Sequence, residues 1–289
     1  MKNLKVIQKI SELKEIVNQN KDKNIALVPT MGALHIGHKS LIDKAVQEND
    51  FVIVSVFVNP TQFGPNEDYD KYPRTLEADV ELVKECGADV VFAPSPKEMY
   101  TKIYFEEKET TLVCPPYTYV NKLCGKSRPG HFDGVCTVVS KLFNLSKCKK
   151  AYFGQKDAQQ LFIIQKMVDE LNFDIEIVPC PIVREKDGLA ISSRNTYLNE
   201  NDRKIATNIY LALNKVKELK NKGIKETATL IDTAMAYLSG FEVDYVEIVS
   251  KEDFSSIAVV DKDAIMLIAA KTPECNVRLI DNMELWRIF

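Results

Sequence analysis

The chain has 289 residues, of which 45% are hydrophobic and 27% are charged. A chain of roughly 300 residues can bury about three quarters of its unfolded surface, and its length favours two domains. Its 38 Lys and Arg residues against 41 Asp and Glu residues leave a net charge of −3, which argues against the basic surface of a nucleic-acid-binding protein. No apolar run approaches the roughly 20 residues of a membrane-spanning helix, and the N-terminus lacks the apolar segment of a signal peptide. We therefore expect a cytoplasmic protein with neither a nucleic-acid nor a membrane partner.

Strands and helices alternate along the first part of the chain. The predicted strands are 24–29, 51–58, 89–92, 151–153 and 175–178, and the predicted helices are 35–49, 76–86, 132–145 and 158–171. The strands are continuous apolar runs, which is typical of strands buried on both faces of a parallel sheet. This order predicts an α/β fold with a Rossmann-like parallel sheet and helices on both faces.

The pattern changes after a polar stretch at 184–195. Two predicted helices, 200–222 and 225–238, precede three predicted strands, 243–249, 264–270 and 277–280. Helices followed by strands predict a smaller α+β unit. We therefore expect one domain over 1–184 and a second over 185–289, with Trp286 and the apolar C-terminal residues Leu285, Ile288 and Phe289 serving domain packing.

The histidines say more about the function of this chain than the cysteines do. The seven cysteines lie at least ten positions apart, so no CxxC pair exists and we expect reduced thiols that mostly serve packing. Only three histidines occur, His35, His38 and His131. Because imidazole is the side chain that ordinarily titrates near neutral pH, an enzyme that needs such a group has few choices here.

The most specific motif is PTMGALHIGH at 29–38, between a predicted strand and a predicted helix. Gly32 and Gly37 allow close approach of the backbone, and a helix N-terminus attracts phosphate through its N–H groups and dipole. His35 and His38 are three positions apart, so both project from one side of the first helical turn. The alternatives are ordinary surface histidines or a zinc site. Since no Cys or third His is near in the sequence, we predict no metal site.

Three further loops carry polar side chains next to predicted elements. Gly154, Gln155, Lys156 and Asp157 form a second strand–turn–helix that could hold phosphate, although a plain helix start has the same pattern. Gln160 follows on the same helical face as Asp157.

Gln62 follows a buried strand, and its amide can donate to a carboxylate and accept from a hydroxyl; a turn glutamine is the alternative. Arg128 and His131 lie in a Gly/Pro loop that we interpret as a mobile flap carrying charge toward a triphosphate, or else as a surface loop.

The HIGH sequence at 35–38 resembles the motif of class I aminoacyl-tRNA synthetases and related adenylyltransferases. Those enzymes carry a second, basic motif, and ISSRN at 191–195 stands in the corresponding place, with Arg194 as its cation. Over nearly the whole chain, five blocks in order resemble the pantothenate synthetase (pantoate–β-alanine ligase) family. The blocks are PTMGALHIGH, FVNPTQFGPNEDYDKYPR, RPGHFDGV, YFGQKDAQQL and VREKDGLAISSRNTYL. Two positions depart from the family's pattern: Ile36 stands where the family commonly has an acidic residue, and Ile191 stands where it often has Met.

The resemblance implies an ATP-dependent condensation of pantoate with β-alanine through a pantoyl adenylate, with release of AMP and pyrophosphate. It implies His38, His35, Lys156 and Arg194 as catalytic residues, and Gln62 and Gln160 as ligands of pantoate and β-alanine. The ATP-binding residues it implies are Met31, Gly32, His35, Gly37, His38, Gly154, Gln155, Lys156, Asp157, Val183, Ile191, Ser192, Ser193 and Arg194. It further implies Mg²⁺ with ATP, a homodimer, and a C-terminal domain that acts as a lid over an N-terminal domain binding ATP and pantoate.

Two other functions share the HIGH motif. A tRNA-binding module related to the synthetases would need a basic surface, which the net charge of −3 does not favour. Another adenylyltransferase of cofactor biosynthesis would not need the paired glutamines Gln62 and Gln160.

Overall fold

The computed structural model describes residues 4–65, 67–261 and 263–285. The predicted packing role of Trp286, Ile288 and Phe289 therefore lies outside the described residues. The chain divides into two compact units. The first holds the residues up to Gln155 together with Gln160–Pro181, and the second holds Lys156–Gln159 together with the residues from Ile182 onward. The predicted boundary after residue 184 and the lid role stay predictions.

The first unit is built on a parallel sheet of six strands in the order β1-β4-β3-β2-β5-β6. The strands are β1 Lys5–Ile7, β2 Ile25–Thr30, β3 Phe51–Val56, β4 Val90–Phe92, β5 Lys150–Gly154 and β6 Glu176–Cys180. The chain runs outward from β2 through β3 to β4 and then returns to place β5 on the other side of β2. This reversal creates a switch point between β2 and β5, and the carboxyl ends of strands at such a point are where α/β sheets bind ligands.

Helices connect these strands and cover the sheet. They are α1 Ile10–Gln19, α2 Ile36–Glu48, α3 Leu76–Cys86, α4 Pro96–Met99, α5 Lys102–Glu107, α6 Tyr117–Val120, α7 Leu123–Ser127, α8 His131–Ser146 and α9 Ala158–Glu170. Ala26 and Val28 of β2 belong to the core that also contains Leu41 and Ile42 of α2 and Val83 of α3. Because side chains alternate across a strand, the intervening residues of β2 face the opposite layer, where α8 contacts β2 and α1 contacts α8. The predicted α/β class is confirmed.

The second unit combines helices α10 Glu200–Asn221 and α11 Thr227–Tyr237 with an antiparallel sheet. Its strands are β7 Glu242–Ser250, β8 Ala264–Lys271 and β9 Arg278–Glu284, with β8 in the middle. Leu213 of α10, Leu230 of α11 and Met266 of β8 are each fully buried in one core. The predicted α+β character of this part of the chain is confirmed.

Two parts of the first unit differ from the sequence prediction. The stretch 24–29 was expected to be the first strand, but β1 and α1 precede it. β1 has three residues and pairs with β4 at the edge of the sheet, so its pattern is too short to recognise before pairing. Likewise, α4 to α7 have four to six residues each, too few to show helical periodicity.

All seven cysteines lie within the described ranges and are free thiols, four of them buried. This confirms the expectation of thiols that mostly serve packing. Within the same ranges, no helix is at once long and apolar enough to cross a membrane.

Candidate active site

The turn between β2 and α2 is fixed by a buried carboxylate. Gly32 and Ala33 have positive φ angles of +80° and +50°, in the left-handed region that residues other than glycine rarely adopt. Asp79 on α3 is 2% exposed and accepts hydrogen bonds from the N–H groups of Ala33 at 3.1 Å and Leu34 at 2.8 Å. A Cβ at Gly32 would lie 2.9 Å from Asp79 Oδ2, so this turn requires glycine. The strained turn before the two histidines is therefore held from a neighbouring helix.

His35 and His38 close the N-terminus of α2 as a pair of caps. His35 is the N-cap residue, and its Nδ1 accepts from the Gly37 N–H at 3.2 Å. His38 Nδ1 accepts from the His35 N–H at 3.3 Å, and the two ring centroids lie 4.0 Å apart. Because both Nδ1 atoms accept from backbone N–H groups, each neutral imidazole carries its proton on Nε2. The helix N-terminus thus presents two Nε2–H donors on one side of its first turn.

Packing against His35 requires glycine at position 37. A Cβ at this position would lie 2.9 Å from the His35 ring, so a larger residue would displace the cap. The sequence prediction that both histidines project from one side of the first turn is confirmed by the ring contact.

Gln62 lies beside Met31. Met31 follows β2 and Gln62 follows β3, so this contact joins the ends of the two strands. Gln62 ends the short 3₁₀ turn Pro60–Gln62 and is 7% exposed. Its Oε1 accepts from Asn59 Nδ2 at 3.1 Å, and its Nε2 lies 3.1 Å from Met31 Sδ. Burial raises the pKa of Tyr100 to about 12, so its hydroxyl stays protonated and donates to Asn59 Oδ1 at 2.6 Å. A buried polar network therefore sets the orientation of the Gln62 amide.

Arg128 and His131 contact the same turn from α8 and the residues before it. Arg128 Nε donates to Glu67 Oε1 at 2.7 Å, and Nη2 is paired with Glu67 Oε2 and also donates to the Gln62 carbonyl at 3.3 Å. His131 is 9% exposed and binds the Gln62 carbonyl through Nδ1 at 2.8 Å. The structure thus brings Arg128 and His131 to Gln62.

The remaining candidates of the first unit follow β5. Gly154 ends β5, which pairs with β2, and Gln155 comes next, so both lie on the carboxyl side of the switch point. Gln160 lies in the first turn of α9 and is half-buried.

The second unit carries the other candidates. The Lys156 carbonyl accepts from Asn282 Nδ2 at 2.9 Å, and its ammonium lies 3.9 Å from Asp157. The segment 183–195 folds back on itself, because the Ile191 N–H donates to the Val183 carbonyl at 3.0 Å. Ser192 then caps a 3₁₀ turn, Ser193–Tyr197, by accepting from the Arg194 N–H at 3.3 Å. Val183 and the basic motif are therefore one local structure.

The ion pair of Arg184 with Asp281 holds the segment 183–195 and lies next to the contact with Lys156. Arg184 donates to Asp281 through Nη1 at 2.5 Å and Nη2 at 2.9 Å, and also to the Gly188 carbonyl. Burial raises the pKa of Asp281, against the stabilising charge of Arg184. Asn282, the next residue, is the one that binds the Lys156 carbonyl.

Sequence reasoning missed three carboxylates that organise these segments, Asp79, Glu67 and Asp281. They are members of a set of 41 acidic residues, and only the tertiary contacts distinguish them from solvated charges. Among the residues that the structure describes, no group of three His, Cys, Asp or Glu side chains could hold a metal ion.

Comparison with known proteins decides the family. The model of the family "Pantoate-beta-alanine ligase" matches residues 5–284. The chain belongs to this family. The pantothenate synthetase of Caldicellulosiruptor bescii is 50% identical over 283 residues, which cover 96% of this chain and 98% of that protein. The pantothenate synthetase of Clostridium novyi is 51% identical over 287 residues, with 96% of each chain covered.

Solved structures of the pantoate–β-alanine ligase family have the same fold. The pantothenate synthetase of Thermus thermophilus superposes with a TM-score of 0.91 at 41% identity, covering 98% of this chain and 100% of that one. The pantoate–β-alanine ligase of Francisella tularensis, complexed with β,γ-ATP and β-alanine, gives a TM-score of 0.78 at 36% identity, with 98% of both chains covered. The expected family is therefore confirmed.

Proposed function

We propose that this chain joins pantoate to β-alanine in an ATP-dependent reaction that forms pantothenate, AMP and pyrophosphate through an enzyme-bound pantoyl adenylate. The observation that carries the proposal is the family match over residues 5–284. Its geometric support is the pair of imidazole Nε2–H donors at the N-terminus of α2, next to the switch point of the sheet. The Francisella tularensis relative with ATP and β-alanine supports the same two substrates.

In the first step the pantoate carboxylate attacks the α-phosphorus of ATP, and pyrophosphate leaves. The protein must neutralise charge and align the carboxylate, with little covalent chemistry of its own. We assign this work to the Nε2–H donors of His35 and His38, aided by the positive end of the α2 dipole. Lys156 and Arg194 would supply the cationic charges. The other proposed ATP contacts are Met31, Gly32, Gly37, Gly154, Gln155, Asp157, Val183 and Ile191–Ser193.

Mg²⁺ belongs to this proposal as a partner of ATP. Mg²⁺ usually keeps several waters and binds nucleotide phosphates through few protein ligands, so we propose that phosphate oxygens would hold it here. When bound, it would neutralise phosphate charge.

In the second step the β-alanine amine attacks the acyl carbon of the adenylate, and AMP leaves. Gln62 and Gln160 are the proposed ligands of pantoate and β-alanine. Gln62 supports this role because its amide is buried and already oriented by Asn59. A preoriented amide binds with less loss of side-chain entropy than a free one.

Product analysis tests the reaction. With pantoate, β-alanine and ATP we expect pantothenate, AMP and pyrophosphate in equal amounts. Without β-alanine we expect exchange of labelled pyrophosphate into ATP that depends on pantoate. Formation of ADP, or exchange that ignores pantoate, would overturn the adenylate mechanism. Pyrophosphate release with nucleotide phosphates in place of pantoate would indicate a different adenylyltransferase.

We also propose a homodimer. The family resemblance motivates this, and three exposed apolar side chains in the segment 103–117 support it. Ile103 in α5, Leu112 after it and Tyr117 in α6 are 55%, 46% and 76% exposed. Sedimentation equilibrium should give twice the chain mass for the wild type, and Tyr117→Lys should shift the equilibrium toward the monomer. A monomeric wild type would refute the dimer.

A further inference from the structure

We propose that Glu67, Arg128 and His131 form a clasp that positions Gln62, so that Arg128 serves the pantoate and β-alanine side of the reaction and not the triphosphate. The proposal rests on the proposed function of Gln62 as a substrate ligand. It makes all three clasp residues positioning residues, because they act through Gln62 and none of them needs to touch a substrate. It also replaces the sequence-based interpretation of Arg128 and His131 as a mobile flap.

The guanidinium of Arg128 is almost fully engaged within the clasp. Of its five N–H donors, Nε and Nη2 bind both carboxylate oxygens of Glu67, Nη2 also binds the Gln62 carbonyl, and Nη1 binds His131 Nε2 at 3.0 Å. The Arg128 and Glu67 side chains are only 17% and 25% exposed. A phosphate could recruit Arg128 only by displacing a bidentate, partly buried carboxylate.

His131 can occupy only one protonation state in this arrangement. A carbonyl oxygen only accepts, so the Nδ1 atom that faces the Gln62 carbonyl at 2.8 Å must carry the proton. A guanidinium only donates, so the Nε2 atom that faces Arg128 must be unprotonated. The ring is therefore neutral, and it links the charged pair to the backbone of Gln62.

The clasp holds the backbone of Gln62 while another network holds its side chain. Two donors, His131 and Arg128, converge on the Gln62 carbonyl, and Asn59 binds the Gln62 amide oxygen. One turn further along α8, a Cβ at Gly134 would lie 2.3 Å from the Thr61 carbonyl, so the helix and the 3₁₀ turn are in direct backbone contact. Loss of the clasp should therefore loosen residues 60–65 more than the rest of the unit.

The charge balance supports a clasp that is closed at neutral pH. Burial alone would raise the pKa of Glu67, but the hydrogen bond and charge of Arg128 outweigh it and lower that pKa below its usual value. A lowered carboxyl pKa stabilises the folded state above the ordinary pKa of Glu, and this contribution is lost as the pH falls through the folded-state pKa. The pair is thus intact across the neutral range.

Glu67→Gln separates the two roles of Arg128 because they predict opposite changes. If Arg128 positions Gln62, weakening the pair should raise the KM for pantoate or β-alanine about tenfold and leave the KM for ATP near wild type. If Arg128 instead serves the triphosphate, releasing it from Glu67 should lower the KM for ATP. A lowered KM for ATP, or an unchanged KM for both other substrates, overturns the clasp. Glu67→Asp should rescue part of the effect, and Asp174→Asn, which breaks the exposed pair with Lys149, serves as the control.

Hydrogen–deuterium exchange provides a readout that does not depend on activity. In Glu67→Gln and in Arg128→Lys, peptides covering 60–65 should exchange at least severalfold faster than in the wild type, while peptides of β2 and β3 should not change. Equal exchange in folded variants refutes the clasp. If the wild type makes no pantothenate, the proposed function fails while this exchange result still decides whether the clasp exists.

Discussion

At the scale of single residues, the two imidazoles of the HIGH motif have a structural role as caps, and we propose a chemical role for the same rings. Their Nδ1 atoms cap the first turn of α2, and this contact puts the proton on Nε2. The sequence predicted that the two rings share one side of a helix turn, since that follows from a spacing of three. It could not predict which nitrogen carries the proton, because the tautomer depends on the backbone donors that the folded turn supplies.

Two substitutions at His38 can separate capping from catalysis. In His38→Asn the side-chain oxygen can replace Nδ1 as the cap acceptor, but the donor at the Nε2 position is lost. In His38→Gln a donor can reach that position while the cap is lost. We expect turnover to fall by about 10²-fold in His38→Asn with the melting temperature near wild type. His38→Gln should melt lower and keep more turnover. Steady-state kinetics and circular dichroism measure both, and equal turnover in the two variants would contradict an Nε2–H donor role.

Asp79 shows how a residue without a sequence signal can govern a motif. It accepts from two N–H groups of the turn 32–34 and from the Thr75 hydroxyl at 3.1 Å. An unpaired buried N–H group costs about 1–3 kcal/mol, so the strained turn depends on this carboxylate. The contact joins residues 46 positions apart, which no local pattern encodes.

At the scale of elements, strand and helix prediction succeeded where an element buries a continuous apolar face. α3 has the predicted bounds, Leu76–Cys86, because Gly87 ends it in the left-handed conformation with φ +83°. β3, Phe51–Val56, is buried along nearly its whole length and was equally clear. The missed β1 is half-exposed at the sheet edge, where burial imposes no pattern.

The contact between α8 and the 3₁₀ turn Pro60–Gln62 predicts a strong effect for Gly134→Ala. The added methyl group would lie 2.3 Å from the Thr61 carbonyl, so the helix and turn must separate. We expect a loss of about 1–3 kcal/mol in the free energy of unfolding, together with a raised KM for pantoate because Gln62 moves. Urea unfolding and kinetics measure these changes.

Gly64→Ala is the matched control, since its Cβ would meet only Glu67 at 3.7 Å or more. Similar losses in both variants would show that the loop is sensitive to any added methyl group and not to this contact.

In the second unit, the Arg184–Asp281 pair predicts a large cost for Asp281→Asn. The side chains are 17% and 4% exposed, and an amide nitrogen would face a guanidinium that only donates. Breaking one partner of a buried pair costs about 3 kcal/mol or more, so urea unfolding of the unit should shift to lower denaturant. Glu242→Gln, which breaks the more exposed pair with Lys271, should stay near wild type. Equal stability of the two variants would disprove a structural role for the buried pair.

At the scale of the whole molecule, the chain passes between the two units more than once. Lys156–Gln159 belongs to the second unit, although the residues on both sides of it belong to the first. The sequence predicted a single boundary late in the chain, because composition and element order change there. A four-residue excursion produces no such change, and only tertiary contacts reveal it.

The proposed lid role of the C-terminal domain predicts a change of shape on ligand binding. With ATP and pantoate together, small-angle scattering should show a smaller radius of gyration than for the free protein. ATP alone should have a lesser effect, and Arg194→Ala should reduce the change because the basic motif would no longer engage phosphate. An unchanged radius of gyration with the wild type saturated by both substrates would refute a lid.

The sequence by itself determined the α/β and α+β classes, the strands around the switch point, and the family, because each depends on local patterns: apolar runs, glycine turns and five ordered motifs. Only the tertiary structure decided how the motifs are held. Asp79, Glu67 and Asp281 each bind groups far away in the chain, and a carboxylate acquires such a role only when folding removes it from water and places donors around it. The three histidines illustrate both what the sequence determined and what the tertiary structure decided. Their positions in motifs were evident from the sequence, while their tautomers, and the contact of His131 with Gln62, arise from neighbours that folding supplies.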